Sequence, residues 1–197
     1  MSLFKLSELE EPEKMEYLKP SSHQGQYYFK RSIGKSLTEL AHTIGELDHD
    51  TTIQYCTGGR WSMHQLLQYA LLKTGPAKVW MTTWTITEEP MRVVLELIKT
   101  GLITELSAVL DYRIERRKPE AFQLASNIIT KIKLTKCHAK VLVIQNDAWN
   151  IAVVTTANFS KNPRIEAGVI FTDKASAEFH KKWIDDVIDG KEVFRVR

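Results

Sequence analysis

His138-Ala139-Lys140-Val141-Leu142-Val143-Ile144-Gln145-Asn146-Asp147-Ala148-Trp149-Asn150-Ile151-Ala152-Val153-Val154-Thr155-Thr156-Ala157-Asn158-Phe159-Ser160 consists of two apolar, β-branched runs separated by a short polar turn and closed by a polar cluster. The pattern predicts a β-hairpin, with strands over residues 138–144 and 149–155 and the turn at Gln145-Asn146-Asp147. Side chains alternate across a strand. His138 and Lys140 therefore share a face, as do Thr156 and Asn158 if the second strand continues. Pairing Ile144 with Trp149 or Asn150 sets His138 opposite Thr155 or Thr156. Imidazole, ammonium, hydroxyl and carboxamide then converge at the open end. Buried without partners, such groups cost a few kcal/mol apiece, roughly. They line either a pocket or an idle, solvent-facing strand end.

Upstream of the hairpin the chain alternates between elements. Strands are expected over residues 51–56, 77–86 and 102–112, and helices over 62–73, 88–99 and 119–129. This order implies a largely parallel sheet with helices on its faces. Ser62 with Gln65 forms a capping box, and Gly75-Pro76 and Gly101 mark helix ends. After Thr130, strands over 131–135, the hairpin and 166–171 follow closely, and a helix over 176–188 ends the pattern. Residues 36–47 carry an amphipathic helix, with Leu37, Leu40, Ile44 and Leu47 in register.

Thr57-Gly58-Gly59-Arg60, between a strand and a helix, is either a plain turn or an anion-receiving loop, but it lacks the spacing of a P-loop. Trp80 reads as core, whereas Trp84 ends its strand near the C-terminal edge, where it either stacks on a base or closes the site. Asp111 and Arg113 end the next strand in the same way.

Composition narrows the classes. A chain of 197 residues, 43% hydrophobic and 26% charged, supports one substantial core. No apolar stretch is long enough to span a membrane, and the first residues are too acidic for a signal peptide, so a cytoplasmic protein is expected. Cys56 and Cys137 are too few for a disulfide framework. The net charge of +3 is mild. Basic residues nevertheless gather at Arg113, Arg116, Arg117, Lys118, Lys131, Lys133, Lys136 and Lys140, and such an excess attracts phosphate-rich polymers.

His138-x-Lys140, followed by an apolar strand, Thr155-Thr156-Ala157-Asn158-Phe159-Ser160 and then Glu166, resembles the HKD motif of the phospholipase D superfamily. The resemblance implies an α/β/α sandwich with a mixed, largely parallel central sheet over residues 51–197; residues 1–50, mostly polar, read as an N-terminal appendage packed on it. It implies His138 as nucleophile, and Lys140 and Asn158 as oxyanion ligands. Glu166 would orient the imidazole, and Thr156 and Ser160 would bind substrate; Arg60 and Trp84 are added to the substrate-binding set from their places at the C-terminal ends of strands. The sequence holds one motif where the chemistry needs two histidines, so the resemblance implies a homodimer, as in small bacterial nucleases of the superfamily. It implies no metal and no cofactor, and the sequence has no zinc-ligand spacing. Two positions depart from the motif. Gln145 replaces Asp, and Thr155-Thr156 replaces Gly-Ser, which adds β-branched bulk where glycine admits a phosphate closely. The function implied is a phosphodiesterase acting on DNA or RNA. The alternative is a catalytically impaired protein that binds nucleic acid or phosphate.

Overall fold

The computed structural model describes residues 29–30, 37–161 and 164–191. Most of the expected appendage, together with Asn162 and the last residues, lies outside them. The elements, in order, are β1 (Phe29–Lys30), α1 (Leu37–Ile44), β2 (Thr52–Cys56), α2 (Met63–Thr74), β3 (Ala77–Thr83), α3 (Glu88–Lys99), β4 (Ile103–Asp111), α4 (Ile114–Arg117), α5 (Pro119–Ile128), β5 (Lys131–Thr135), β6 (Val141–Gln145), β7 (Asn150–Thr155), β8 (Ala167–Phe171) and α6 (Lys174–Ile188). The strands form one sheet in the order β1-β2-β8-β7-β6-β3-β4-β5. Six of the eight strands run in one direction, and β6 and β8 run against them. The sheet is thus mixed, with a largely parallel set of strands, as expected.

Burial follows the two-residue alternation of the strands. Leu142 and Ile144 of β6, Val79 and Met81 of β3, and Ile151 and Val153 of β7 enter the larger core beneath the helices preceding β5. Val141, Val143, Trp80 and Val109 face the other way and meet Ala177 and Ile184 of α6. Because both faces of β6 are covered, its sequence is an unbroken apolar run. Leu40 and Ile44 of α1 are fully buried in the larger core. Ser62 caps α2 as expected, its N–H donating to Gln65 Oε1 at 3.0 Å.

The hairpin differs from expectation in two respects. Its register pairs Ile144 with Ile151 and Gln145 with Asn150. The turn is correspondingly tight, because Asn146 N–H donates to the Trp149 carbonyl at 3.0 Å. The Asn146 side-chain oxygen also takes the N–H groups of Ala148 and Trp149 at 3.0 and 2.8 Å, which moves the turn centre to Asp147-Ala148. Moreover, β6 begins only at Val141, whose N–H is taken by Thr82 Oγ1 at 3.0 Å. Residues 136–140 are therefore the connection from β5 to β6. In this strand order, that connection must cross the ends of β4 and β3. The short α4 and β1 were not foreseen, and β3 stops at Thr83, so Trp84 stands just beyond the strand.

Candidate phosphodiester site

The crossing connection brings distant parts of the sequence together. β2, β3, β4, β5 and β7 end, and β6 and β8 begin, along one edge of the sheet. Arg60, Glu166, Thr156, His138 with Lys140, Trp84 and Arg113 follow one another along that edge.

Beneath the crossing lies Asp111, 1% exposed. Its carboxylate accepts Arg113 Nε at 2.7 Å, a terminal guanidinium nitrogen at 3.1 Å and the Arg113 backbone N–H at 3.2 Å. The Arg113 side chain holds the Asp111 carboxyl below the usual carboxylate range, and the Cys137 backbone adds a further hydrogen bond. Asp111 thus ties the end of β4 to the residue preceding His138. The Cys137 thiol is buried, and burial raises its pKa, consistent with packing.

His138 is exposed above this support. Lys140 Nζ lies 3.2 Å from both of its ring nitrogens and 2.8 Å from its carbonyl oxygen. The lone pairs of the two ring nitrogens diverge, so a point equidistant from them lies on neither axis. The ammonium is therefore held mainly by the carbonyl. Burial is the main cause lowering the Lys140 pKa, opposed by the charges of Cys137 and Glu166. Trp84 meets the imidazole edge-on, with ring centroids 5.8 Å apart.

On the β7 side, Asn158 Oδ1 accepts the Trp84 N–H at 3.2 Å and lies 3.2 Å from Thr83 Oγ1, whose proton is shared between it and the Thr85 carbonyl at 2.9 Å. This fixes the carboxamide and leaves its amino group as the donor for a ligand. The Thr156 hydroxyl donates to the Glu166 carboxylate and accepts the Ala167 N–H at 3.0 Å. Glu166 is clamped to the loop after β2, its N–H donating to Thr57 Oγ1 at 3.0 Å and its carbonyl accepting Thr57 N–H at 2.7 Å. That loop is a tight turn, with Gly58 at φ 57° and Gly59 at φ 74°, conformations that favour glycine. It carries Arg60 at the Glu166 end of the edge. Ser160 is buried next to the Ile86–Phe159 bridge, where the chain passes toward the start of α3. Its neighbour Lys161 there reaches Glu89 at 3.2 Å.

The two departures from the motif have structural explanations. Gln145 lies at the far end of β6, donating to Asn150 at 2.8 Å and Glu178 at 2.6 Å. It holds the hairpin to α6, about 15 Å of strand from the site. The Thr155 hydroxyl donates to the Ala167 carbonyl at 3.0 Å and accepts the Ala157 N–H at 3.1 Å, so it serves the backbone.

Sequence reasoning missed Thr57 and Thr83, whose hydroxyls contact Glu166 and Asn158, and the contact of Trp84 with Arg117. Its guanidinium lies 5.0 Å from the Trp84 ring centroid, and that of Arg113 lies 5.7 Å from it. A threonine closing an apolar strand was the available signal for the first two. Nothing in the spacing links Arg117 to Trp84. A groove of about 510 Å³ runs from His138 past Lys133, Lys136 and Trp183 to Lys191. Among the described residues, no group of three or more His, Cys, Asp or Glu side chains is arranged to hold a metal ion. No helix among them is long and apolar enough to cross a membrane.

This sheet order, with helices on both faces and a hairpin delivering polar groups to one edge, is a phospholipase D fold. It is similar to Nuc, a phospholipase D family member from Salmonella typhimurium, with a TM-score of 0.54 and 16% identity over 74% of this chain and 98% of that one. It is also similar to NucT from Helicobacter pylori, with a TM-score of 0.51 and 13% identity over 70% and 96% of the two chains. Polyphosphate kinase from Porphyromonas gingivalis matches 75% of this chain through 27% of its own, with a TM-score of 0.53 and 13% identity. Neither protein-family models nor curated protein sequences gave a match.

Proposed function

We propose that this chain is a phosphodiesterase that cleaves nucleic acid in the cytoplasm without a metal ion, working as a homodimer with His138 as nucleophile. The observation that carries this reading is that His138 and Lys140, from the connection before β6, and Thr156 and Asn158, after β7, come to the same edge of a phospholipase D fold, with Trp84 in contact with both His138 and Asn158.

In this mechanism an imidazole nitrogen of His138 attacks phosphorus, forming a P–N bond as the P–O bond to the leaving group breaks. The leaving oxygen takes a proton from a second histidine, His138 of another copy of the chain. That histidine then accepts a proton from water. Water oxygen attacks phosphorus, the P–N bond breaks, and both imidazoles return to their starting states. The Lys140 ammonium and the Asn158 amide donate to the non-bridging oxygens, where charge develops in the transition state. Glu166 holds Thr156 in place and supplies negative charge to the histidine–lysine pair. Arg60 belongs to the surrounding substrate surface, while Ser160, buried beside the Ile86–Phe159 bridge, supports the segment from behind.

A second reading, a protein that binds nucleic acid or phosphate without cleaving it, is favoured by the Thr156 hydroxyl, which already donates to Glu166. One assay separates the two. Hydrolysis of bis(p-nitrophenyl) phosphate and of labelled DNA in excess EDTA is measured for the wild type and for His138→Ala purified in parallel. Turnover present in the wild type and lost by at least about a thousandfold in the variant is expected. Salt-sensitive DNA retention without turnover would leave the binding module.

A further inference from the structure

The side of the site beyond His138 is lined by aromatic rings and guanidinium groups in contact with one another. Trp84 is half-buried with its ring against the imidazole edge. Arg117 and Arg113 lie over the same indole at 5.0 and 5.7 Å, and Arg113 also lies 5.6 Å from the ring of Tyr112, which is 48% exposed. The two arginines differ electrostatically. Arg113 is neutralised by the buried Asp111 and is fixed as a prop. Arg117 is exposed, and among the described residues no carboxylate pairs with it. An exposed, uncompensated guanidinium lying on an indole keeps its in-plane N–H donors available for phosphate, and its flat face available for another ring.

We propose that Trp84 and Arg117, braced by Arg113 and Asp111, form a subsite for an unpaired nucleotide adjoining the phosphodiester held at His138, so that the substrate is single-stranded nucleic acid. The inference rests on the reading of His138 as the centre of a phosphodiester site. The 5.8 Å between the Trp84 and His138 rings puts the next nucleotide, not a distant one, against the platform. A base stacks on indole or guanidinium only if its face is free, and in a duplex both faces are covered by neighbouring pairs. Phosphate contacts alone would not favour a single strand, since the duplex carries the denser charge. The exposed Tyr112, reached by Arg113 at 5.6 Å, offers a further ring beside this platform.

The test compares kcat/KM in EDTA for an end-labelled deoxyoligonucleotide as a single strand and as a blunt duplex, using the wild type, Trp84→Ala, Trp84→Phe and Arg117→Ala. The wild type is expected to prefer the single strand. Trp84→Ala is expected to lower the ratio of single-strand to duplex rates by about tenfold or more, Arg117→Ala to lower it too, and Trp84→Phe to keep most of it. Equal losses on both DNA forms and on bis(p-nitrophenyl) phosphate would assign Trp84 to propping His138 and overturn the proposal, as would a wild type that prefers duplex. If no form of the protein cleaves anything, the proposed function fails. The inference is then decided by fluorescence anisotropy with the same two DNAs. Tighter single-strand binding that weakens in Trp84→Ala and Arg117→Ala supports it, and equal binding by all forms overturns it. Circular dichroism of each variant confirms that the fold is retained.

Discussion

At Thr155 the chain turns out of β7 into the site, and the side chain there satisfies two backbone groups that the bend would otherwise strand. Valine has the same shape without the hydroxyl, so Thr155→Val leaves the N–H of the buried Ala157 without its partner. We expect a loss of about 1–2 kcal/mol, read as a shifted urea midpoint with an unchanged m-value. Gly168, paired with Thr155 across the ladder, is a contrasting case. A Cβ there would stand 2.5 Å from Tyr55 Oη and 2.7 Å from the Val154 carbonyl oxygen. Gly168→Ala should therefore cost about 1–3 kcal/mol, and adding Tyr55→Phe should recover part of it. The hydroxyl it removes is buried and forms no well-aligned hydrogen bond among the described residues, so its loss carries little penalty. The same thermal or urea titration of single and double variants measures both. Thr155 and Gln145 stand out in the sequence as departures from a motif, but their compensations do not. Those depend on Ala167 and Glu178, which only the fold brings within reach.

Elements whose signals are local were legible in the sequence. The α3 and β5 bounds match expectation, because an apolar period and end signals sit within each segment. The hairpin was legible as a hairpin but not in its register, which the Asn146 side chain sets by organising the turn. The start of β6 was misplaced for a different reason. A run beginning at Val141 does not reveal that the preceding residues must bridge two strand ends, and it is that bridge which lifts His138 and Lys140 into the site. α2 carries an element-scale prediction of its own. His64 on its first turn is 5% exposed, with Nδ1 3.0 Å from Ser62 Oγ. Burial lowers its pKa to about 4, with Glu89 opposing and Lys161 reinforcing the shift. Because the folded value lies below the unfolded one near 6.5, the unfolded chain takes up a proton first as pH falls. Stability is then unaffected above about pH 7 and declines from there toward pH 4, by about 3 kcal/mol in all. Urea titrations at several pH values should show this slope, and His64→Gln should flatten it.

On the scale of the molecule, strand direction organises the site. Reversing β6 and β8 among strands that otherwise run together lets loops that enter strands and loops that leave them share one edge. His138 and Asn158 can therefore meet although one precedes the hairpin and the other follows it. That a sheet of mixed direction was coming could be read from the helix–strand rhythm followed by closely spaced strands. The partnership of Trp84 with Arg117 could not, since it depends on β3 and β4 being neighbours. If two copies of the chain each lend a histidine to one shared centre, a mixed dimer of wild type and His138→Ala is dead. With protomers exchanged freely, activity should fall as the square of the wild-type fraction, to about a quarter at equal mixing, whereas independent sites would leave half. The pairing of β2 with β8 has a further, temporal consequence. Thr51 bonds Thr172 across 121 residues, so β2 leaves the ribosome long before its antiparallel neighbour exists. During synthesis that flank remains an open strand edge, and its closure carries a high contact order, so the clamp on Glu166 should be among the last parts of the protein to form.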